Sequence, residues 1–362
     1  MNDLNMNRLP VPTWNQCGVN SAPKAAALPE IPGDDWGEAN IAFTLPAGVG
    51  EAENDFTAFS ESGMGEAVDT YLLENATVRH ALTVAEDTKV EAPALFEVTL
   101  DAAHPNALSV LSVDAKAGSS LTVVQVVRGD AENGAAASLT RIRAGEGAHV
   151  KLVQIQLLGS KARRWNAVAV EEGPGAKVEQ VRVELGGSLS ACGTRAMLGT
   201  PKSEYDLDAV YFGSEDAVLD YNDVSVHTAK DTLCEMHTAG VLTGHADKIL
   251  RGTIDFRRGA KRGVGHESED VLLFSPTARN RTAPLILCGE EEVEGQHAAS
   301  IGRLDEAKLY YLRSRGLSEE QARRLMVDAR FAPAIEKIPL AALQDEVREA
   351  AARRLDDAES MD

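Results

Sequence analysis

Val178-Glu179-Gln180-Val181-Arg182-Val183-Glu184-Leu185 is the stretch that decides the fold. Val181, Val183 and Leu185 fall on one side and Arg182 and Glu184 on the other, which is the two-residue period of a β-strand. Short apolar runs of the same kind recur on both sides of it. They include Leu108 to Val113, Leu121 to Val127, Val150 to Leu158, Tyr205 to Tyr211, Val218 to Val226 and Ile249 to Phe256, separated by Gly, Asp, Asn and Ser. The run centres fall roughly every 12–16 residues, the mark of a repeating architecture. Intervals so short and so rich in glycine leave no room for the crossover helices of a doubly wound parallel sheet. An antiparallel sandwich and a parallel coil both stay open. A dozen or more short strands exceed the roughly ten that an open sheet holds before it splits, which favours the coil. Its rungs would stack about 4.8 Å apart, with Val and Ile inside.

Composition narrows the function classes. The chain has 362 residues, of which 56 are acidic and 36 basic, for a net charge of −20. Such a chain is a poor general binder of nucleic acid or of an anionic membrane surface. Four cysteines, at 17, 192, 234 and 288, form no C-x-x-C pair and are too few to staple the fold. The opening residues hold no apolar signal core, and no window approaches eighteen apolar residues. These features predict a cytoplasmic protein with no membrane span.

The two ends read differently from the middle. Residues 1–75 form an irregular N-terminal arm and small domain: Leu9-Pro10-Val11-Pro12-Thr13-Trp14 is extended, and Pro23, Pro29, Pro32 and Gly33 interrupt the next stretch. A few helical turns are expected over Ser62 to Leu73. Residues 76–303 form the β core. Residues 304–362 form a helical domain, its first helix running from Leu304 to Arg315 with Gly316 as a stop. Ser318-Glu319-Glu320-Gln321 has the capping-box form and opens a second helix through Ala329, after which Pro333 and Pro339 punctuate the chain. Leu340 to Leu355 is a third helix, and the acidic tail Asp356 to Asp362 reads as frayed.

Chemistry is sparse. No Walker A segment and no Gly-x-Ser-x-Gly elbow is present, and Gly145-Glu146-Gly147 and Gly173-Pro174-Gly175 fit tight turns between strands. Cys234-x-x-His237, with His227 and His245 nearby, matches no closed zinc pattern, and residues three apart on a strand point to opposite faces. Asp206/Asp208 and Asp220/Asp223 are carboxylate pairs that a carbohydrate-active β-helix enzyme could use, but aromatics to stack on sugars make up only 5% of the chain. His297 stands apart. It comes after the acidic run Glu290-Glu291-Glu292 and lies at the end of the β body, just before the helices.

At that junction Val293-Glu294-Gly295-Gln296-His297-Ala298-Ala299-Ser300-Ile301-Gly302-Arg303-Leu304-Asp305 runs on into Leu309-Tyr310-Tyr311-Leu312-Arg313-Ser314-Arg315-Gly316. This resembles the SufB/SufD family of iron–sulfur cluster assembly scaffolds. Gly252-Thr253-Ile254-Asp255-Phe256 and Leu272-Leu273-Phe274-Ser275 look like that family's last rungs, and Leu9 to Trp14 is similar to the opening of its SufD branch. The resemblance implies a right-handed parallel β-helix that pairs with a SufB-type paralogue. It also implies an ABC-type ATPase, SufC, docked on the C-terminal helices, with Tyr310, Tyr311, Arg313 and Arg315 as docking candidates. Sulfur would arrive indirectly from a cysteine desulfurase system, and no cofactor would be held permanently. A transient iron–sulfur cluster would form at the partner interface, where His297 matches the family's ligand. The resemblance implies a non-catalytic role, and pairing of the chain with its own copy remains an alternative. Gly295 stands where many members carry Cys, so a thiolate from that position is missing, and Cys288 is not an obvious substitute.

Overall fold

Successive strands alternate between two sheets, so the chain coils. The computed structural model describes residues 6–28, 36–37, 40–52, 59–303 and 306–359; Pro29, Pro32, Gly33, Leu304, Asp305 and residues 360–362 lie outside the described residues. Two short strands, β1 (Asn40–Thr44) and β2 (Val49–Glu51), precede helix α1 (Glu66–Asn75). Then come β3 (Val78–Val84), β4 (Ala94–Leu100), β5 (Asn106–Ala115), β6 (Ser120–Gly129), β7 (Ala135–Ala144), β8 (His149–Leu158), β9 (Arg163–Glu172) and β10 (Lys177–Glu184). They continue as β11 (Leu189–Leu198), β12 (Glu204–Gly213), β13 (Val218–His227), β14 (Leu233–Leu242), β15 (Asp247–Phe256), β16 (Gly263–Leu273), β17 (Arg279–Cys288) and β18 (Val293–Arg303). Helices α2 (Glu306–Ser314), α3 (Glu319–Ile335) and α4 (Ala341–Glu359) close the chain.

The even-numbered strands from β4 to β18 form one sheet with β1 at its edge, and the odd-numbered strands from β3 to β17 form the other with β2 at its edge. From β3 onward all pairings within a sheet are parallel. The cross-section has two facing layers, as a sandwich has, but the connectivity is that of a β-solenoid of about eight turns. Ser120 aligns with His149 and His149 with Lys177, so one turn takes close to thirty residues and holds two of the apolar runs read from the sequence. The glycine-rich pieces are the corners. Gly147 and Gly175 sit at φ 61° and 63°, a region that side chains disfavour. Their N–H groups donate to Pro174 O and Pro201 O of the next turn, each at 2.9 Å, so corners stack as the strands do.

In-register stacking makes columns along the inside of the coil. Leu121, Val150, Val178, Tyr205, Cys234, Gly265 and Gly295 form one; Val123, Leu152, Gln180, Leu207, Met236, Glu267 and His297 form the next. Apolar layers run along the inside, and a polar row lies between them. Gln125 donates to Thr140 Oγ1 across the sheets at 3.0 Å, Gln154 to Asn166 Oδ1 at 3.0 Å, and Tyr205 to Gln180 Oε1 at 2.7 Å.

The expectation that the valines stack inside is therefore only partly met. Val178 does, but Val181, Val183 and Leu185 point outward, beneath the C-terminal helices, whose Val327, Phe331, Ile335, Val347 and Leu355 cover them. Arg182 and Glu184 are the residues that point inward, nearly inaccessible. Helix α3 lies on β10, β12 and β14, and α4 on β8. The opposite outer face is covered by the N-terminal segment and α1, with Trp36, Met64, Val68 and Leu72 over Leu108, Val110, Leu139 and Trp165. Helix α3 also runs past its expected end at Ala329 and through Pro333. Proline there removes one backbone hydrogen bond, while burial of Phe331, Ala334 and Ile335 against the sheet holds the last turn in place. The expected capping box is present: Ser318 Oγ accepts from Gln321 N, and Gln321 Oε1 accepts from Ser318 N.

Candidate functional site at the open end of the coil

The two ends of the coil are finished differently. At the N-terminal end β1 pairs antiparallel with β4, and β2 with β3, so short strands close each sheet. At the other end β17 and β18 are the last strands of their sheets, each paired on one side only among the described residues. β18 is eleven residues long, and from Glu294 to Arg303 every residue is exposed. A long, flat edge of this kind presents a row of free N–H and C=O groups to any incoming strand.

Residues opposite one another on neighbouring parallel strands share a face. Gly295, His297, Ala299 and Ile301 on β18 align with Gly265, Glu267, Glu269 and Val271 on β16, all four of which are buried in the coil. His297 thus stands on the inner face of the last turn, exposed to solvent, with Glu267 directly beneath it in the column. The facing wall comes from β17, where Pro284, Ile286 and Cys288 align with Gly252, Ile254 and Phe256. A Cβ at position 295 would meet Ile286 Cγ2 at 3.0 Å and Phe256 Cε2 at 3.1 Å, a tight fit that a larger side chain would enter only by shifting these apolar neighbours. Cys288 is exposed at the rim, one wall away from His297.

Glu267 is the residue the sequence reading missed. It is 7% exposed, its Oε2 has no hydrogen-bond partner among the described residues, and its Oε1 occupies the place where a Cβ on Gly252 would lie, 1.8 Å away. Burial first, and then the neighbouring Glu269 and Asp223, push its carboxyl up to about 7, against some relief from Lys248. Beside it the Lys248 ammonium is bonded to Glu269, which also accepts from Thr282 Oγ1 at 2.5 Å and from Tyr211 OH at 3.3 Å. The floor of the open end is therefore acidic and polar.

Glu267 makes stability depend on pH. The folded chain keeps a proton that the unfolded chain, with a carboxyl near 4.5, has already lost. Its contribution is fully present below about pH 4.5 and is lost as pH rises to about 7, a loss of about 3 kcal/mol. Glu267→Gln should remove that slope. Denaturant titrations at pH 4.5 and pH 8 are expected to show variant and wild type close at the lower pH and the variant more stable at the higher. His227, which burial lowers to about 4, acts in the opposite sense between pH 6.5 and 4, so the difference between the two proteins is the informative quantity. Equal pH slopes in both would exclude a buried acid at 267.

The structure disperses the remaining sequence candidates. Cys234 is buried and points inward while His237 lies on the outer face, the opposition expected of a strand. His227 is buried beside Phe256 and bonded to Thr232, and His245 is in an exposed corner. Among the described residues no three His, Cys, Asp or Glu side chains come together in a way that could hold a metal ion. Each carboxylate of the two candidate pairs is taken by a cation: Asp206 by Lys177 at 2.6 Å, Asp208 by Lys337, Asp220 by Arg251 at 2.9 Å and Asp223 by Arg182 at 2.7 Å. Asp220 and Asp223 also lie on opposite faces of β13, so they do not flank a common groove. On α2, Tyr310 and Tyr311 are 76% and 55% exposed. Arg315 lies over the Tyr311 ring at 5.1 Å from its centroid, and Arg313 pairs with Glu319 at 3.3 Å. A cavity of about 590 Å³ opens between this helix and the coil, lined by Phe274, Arg303, Tyr310, Arg313, Glu319 and Arg323. No helix among the described residues is long and apolar enough to cross a membrane.

A family model described as SUF system FeS cluster assembly, SufBD core domain, matches residues 98–330. The iron–sulfur cluster assembly protein SufD of Bacillus subtilis is 31% identical over 135 residues, covering 37% of this chain and 31% of that protein. An iron–sulfur cluster assembly SufBD family protein of Pyrococcus horikoshii is 33% identical over 173 residues, covering 44% of this chain and 38% of that protein. One from a Synechocystis species is 24% identical over 212 residues, covering 58% and 47%. The matched stretch spans less than half the length of each of these relatives.

Proposed function

The chain belongs to the SufBD family of iron–sulfur cluster assembly proteins, and from that premise we propose that it is a SufD-type scaffold subunit, non-catalytic by itself. It pairs with a SufB-type paralogue through the open end of its coil and docks an ABC-type ATPase through its C-terminal helices. The observation that carries this reading is β18: a long strand, unpaired along one edge among the described residues and exposed from Glu294 onward, that holds His297 on its inner face. A bare edge next to a single imidazole is half of a site. A strand added to it by the paralogue would satisfy the free backbone groups and bring further donors to His297.

The cluster is cargo, built at the junction and passed on. His297 contributes a neutral imidazole to iron, and with Gly295 supplying no side chain a thiolate would come from the partner or from the rim. The docking surface is α2 and the turn after it, where Tyr310, Tyr311, Arg313 and Arg315 are exposed, with Tyr310 and Arg313 lining the cavity against the coil. Rigid contact of α3 and α4 with the even-numbered sheet lets movement of the ATPase reach the coil end. The compartment we infer is the cytoplasm, and the sulfur source a cysteine desulfurase acting through the paralogue.

His297→Ala tests the site. The complex reconstituted with the variant should keep its subunit composition and lose more than half of its iron and acid-labile sulfide. His297 is exposed, so the variant should fold as the wild type does. Undiminished cluster content in an intact complex would remove the ligand role.

A further inference from the structure

The N-terminal arm reaches the open end of the coil and carries an exposed tryptophan there. Asn7 donates to Cys192 O on β11 at 3.2 Å and to Asp220 on β13. Two residues on, Leu9 packs with Val19 against Ile249 on β15 and Ala283 on β17. The arm therefore climbs the outer face of the odd-numbered sheet, rung by rung, toward its last strand. It returns as a hairpin, with Leu9 N donating to Asn20 O at 3.0 Å and Ala22 N to Met6 O at 3.0 Å. Arg251 on β15 bonds Val19 O at 2.5 Å, and Arg281 on β17 bonds Cys17 O at 3.2 Å. The hairpin is thus fixed on the last two rungs, and its turn is held at β17 through Cys17.

That turn is hydrogen-bonded and presents apolar surface. Trp14 has φ 43° and ψ 51°, a left-handed conformation that L residues disfavour. It is held by Cys17 N donating to Trp14 O at 2.8 Å, Thr13 N to Asn20 Oδ1 at 2.7 Å, and Asn20 Nδ2 to Asn15 Oδ1 at 2.6 Å. So fixed, the indole is 76% exposed, and Val11, three residues earlier, is 47% exposed. The other two tryptophans are buried, Trp36 at 1% and Trp165 at 0%.

The ladder says what would cover it. The next strand of the odd-numbered sheet would lie about 4.8 Å beyond β17, on the free edge of that strand and next to the hairpin turn that Arg281 holds at β17. We propose that the Trp14 hairpin is a clasp for the paralogous coil, its indole packing on the outer face of the first strand that the partner adds beyond β17. This rests on the end-to-end pairing of the two coils and adds a second contact, on the outside of the junction, to the one at His297 on the inside. The net charge of −20 argues against a second copy of this chain as the occupant.

Binding of the full chain to its purified SufB-type paralogue, by calorimetry, is the test, with iodide quenching of tryptophan emission alongside. In the free chain iodide should quench a component that Trp14→Phe lacks, since the other two indoles are shielded. In the complex that component should be protected. Trp14→Ala should bind at least ten-fold more weakly at unchanged thermal stability, and Trp14→Phe should retain most of the affinity. Equal affinity of wild type and Trp14→Ala, or full access of iodide to Trp14 in the complex, would remove the clasp and leave end pairing standing. A wild-type chain that does not bind the paralogue would remove the pairing and the clasp with it. Protection of Trp14 on raising the concentration of this chain alone would overturn the choice of partner.

Discussion

Asp223→Ala is expected to destabilise the fold by about 3–5 kcal/mol, the cost of leaving a buried cation without its partner. Arg182 and Asp223 face each other across the interior of the coil, bonded through both nitrogens and both oxygens at 2.7 Å. Neither is more than 2% exposed, and Arg182 also lies over the Tyr221 ring at 5.1 Å from its centroid. An exposed pair of the same geometry would be worth less than about 1 kcal/mol, so the size of the loss reports the location. The buried pair is not itself a strong source of stability, because desolvating both charges offsets most of their attraction. Arg182→Met combined with Asp223→Leu should therefore recover most of what Asp223→Ala loses. Denaturant titration of the wild type, the single variant and the double variant checks both statements. A single variant within about 1 kcal/mol of wild type would place the pair in solvent, contrary to the inward register of β10.

That pair shows how far the sequence could be read. The alternation over Val178 to Leu185 identified a strand and sorted its residues correctly into two faces, and the spacing of such runs identified a coil. Alternation does not say which face is the interior. In a two-layer solenoid both faces of a strand can be buried, one by the opposite sheet and one by a helix from the far end of the chain. The outward valines wait for Phe331 and Val347, more than a hundred residues away, and the inward Arg182 for Asp223. Corners were legible because left-handed glycines have a local cause. Helix α3 was legible at its start, where the capping box is local, and illegible at its end, where packing overrides Pro333.

The site divides in the same way. His297 stood out because it comes after an acidic run at the end of the β texture. Glu267 did not, because Gly265-His266-Glu267-Ser268-Glu269 reads as a solvated polar strand. Its burial depends on the space left by Gly252 and on its register with His297, thirty residues later. The carboxylate pairs that looked available for catalysis became engaged only once Lys177, Lys337, Arg251 and Arg182 were placed in space.

Phe331→Ala is expected to cost about 3–5 kcal/mol, as deletion of a fully buried aromatic ring does, and the way the loss is distributed matters more than its size. Phe331 is 1% exposed and packs with the outward side chains of the even-numbered sheet. A solenoid held only by contacts between neighbouring rungs tends to lose cooperativity as it lengthens. Here α3 spans β10, β12 and β14, and α4 reaches β8, so the helices tie several rungs together from outside. Trp165 lies on the other outer face of the coil, with its indole N–H donating to Ala26 O at 3.0 Å. Loosening the helices should therefore move the unfolding seen at Trp165 by the same amount as that seen in the helical circular dichroism, in a single transition. The measurement is the pair of denaturation curves for wild type and variant. A helical signal that melts early while the tryptophan transition stays put would show the helices to be a separable unit. In the proposed assembly, movement of a docked ATPase would then reach the coil end through α2, the next element after β18, and not through the sheet on which α3 and α4 lie.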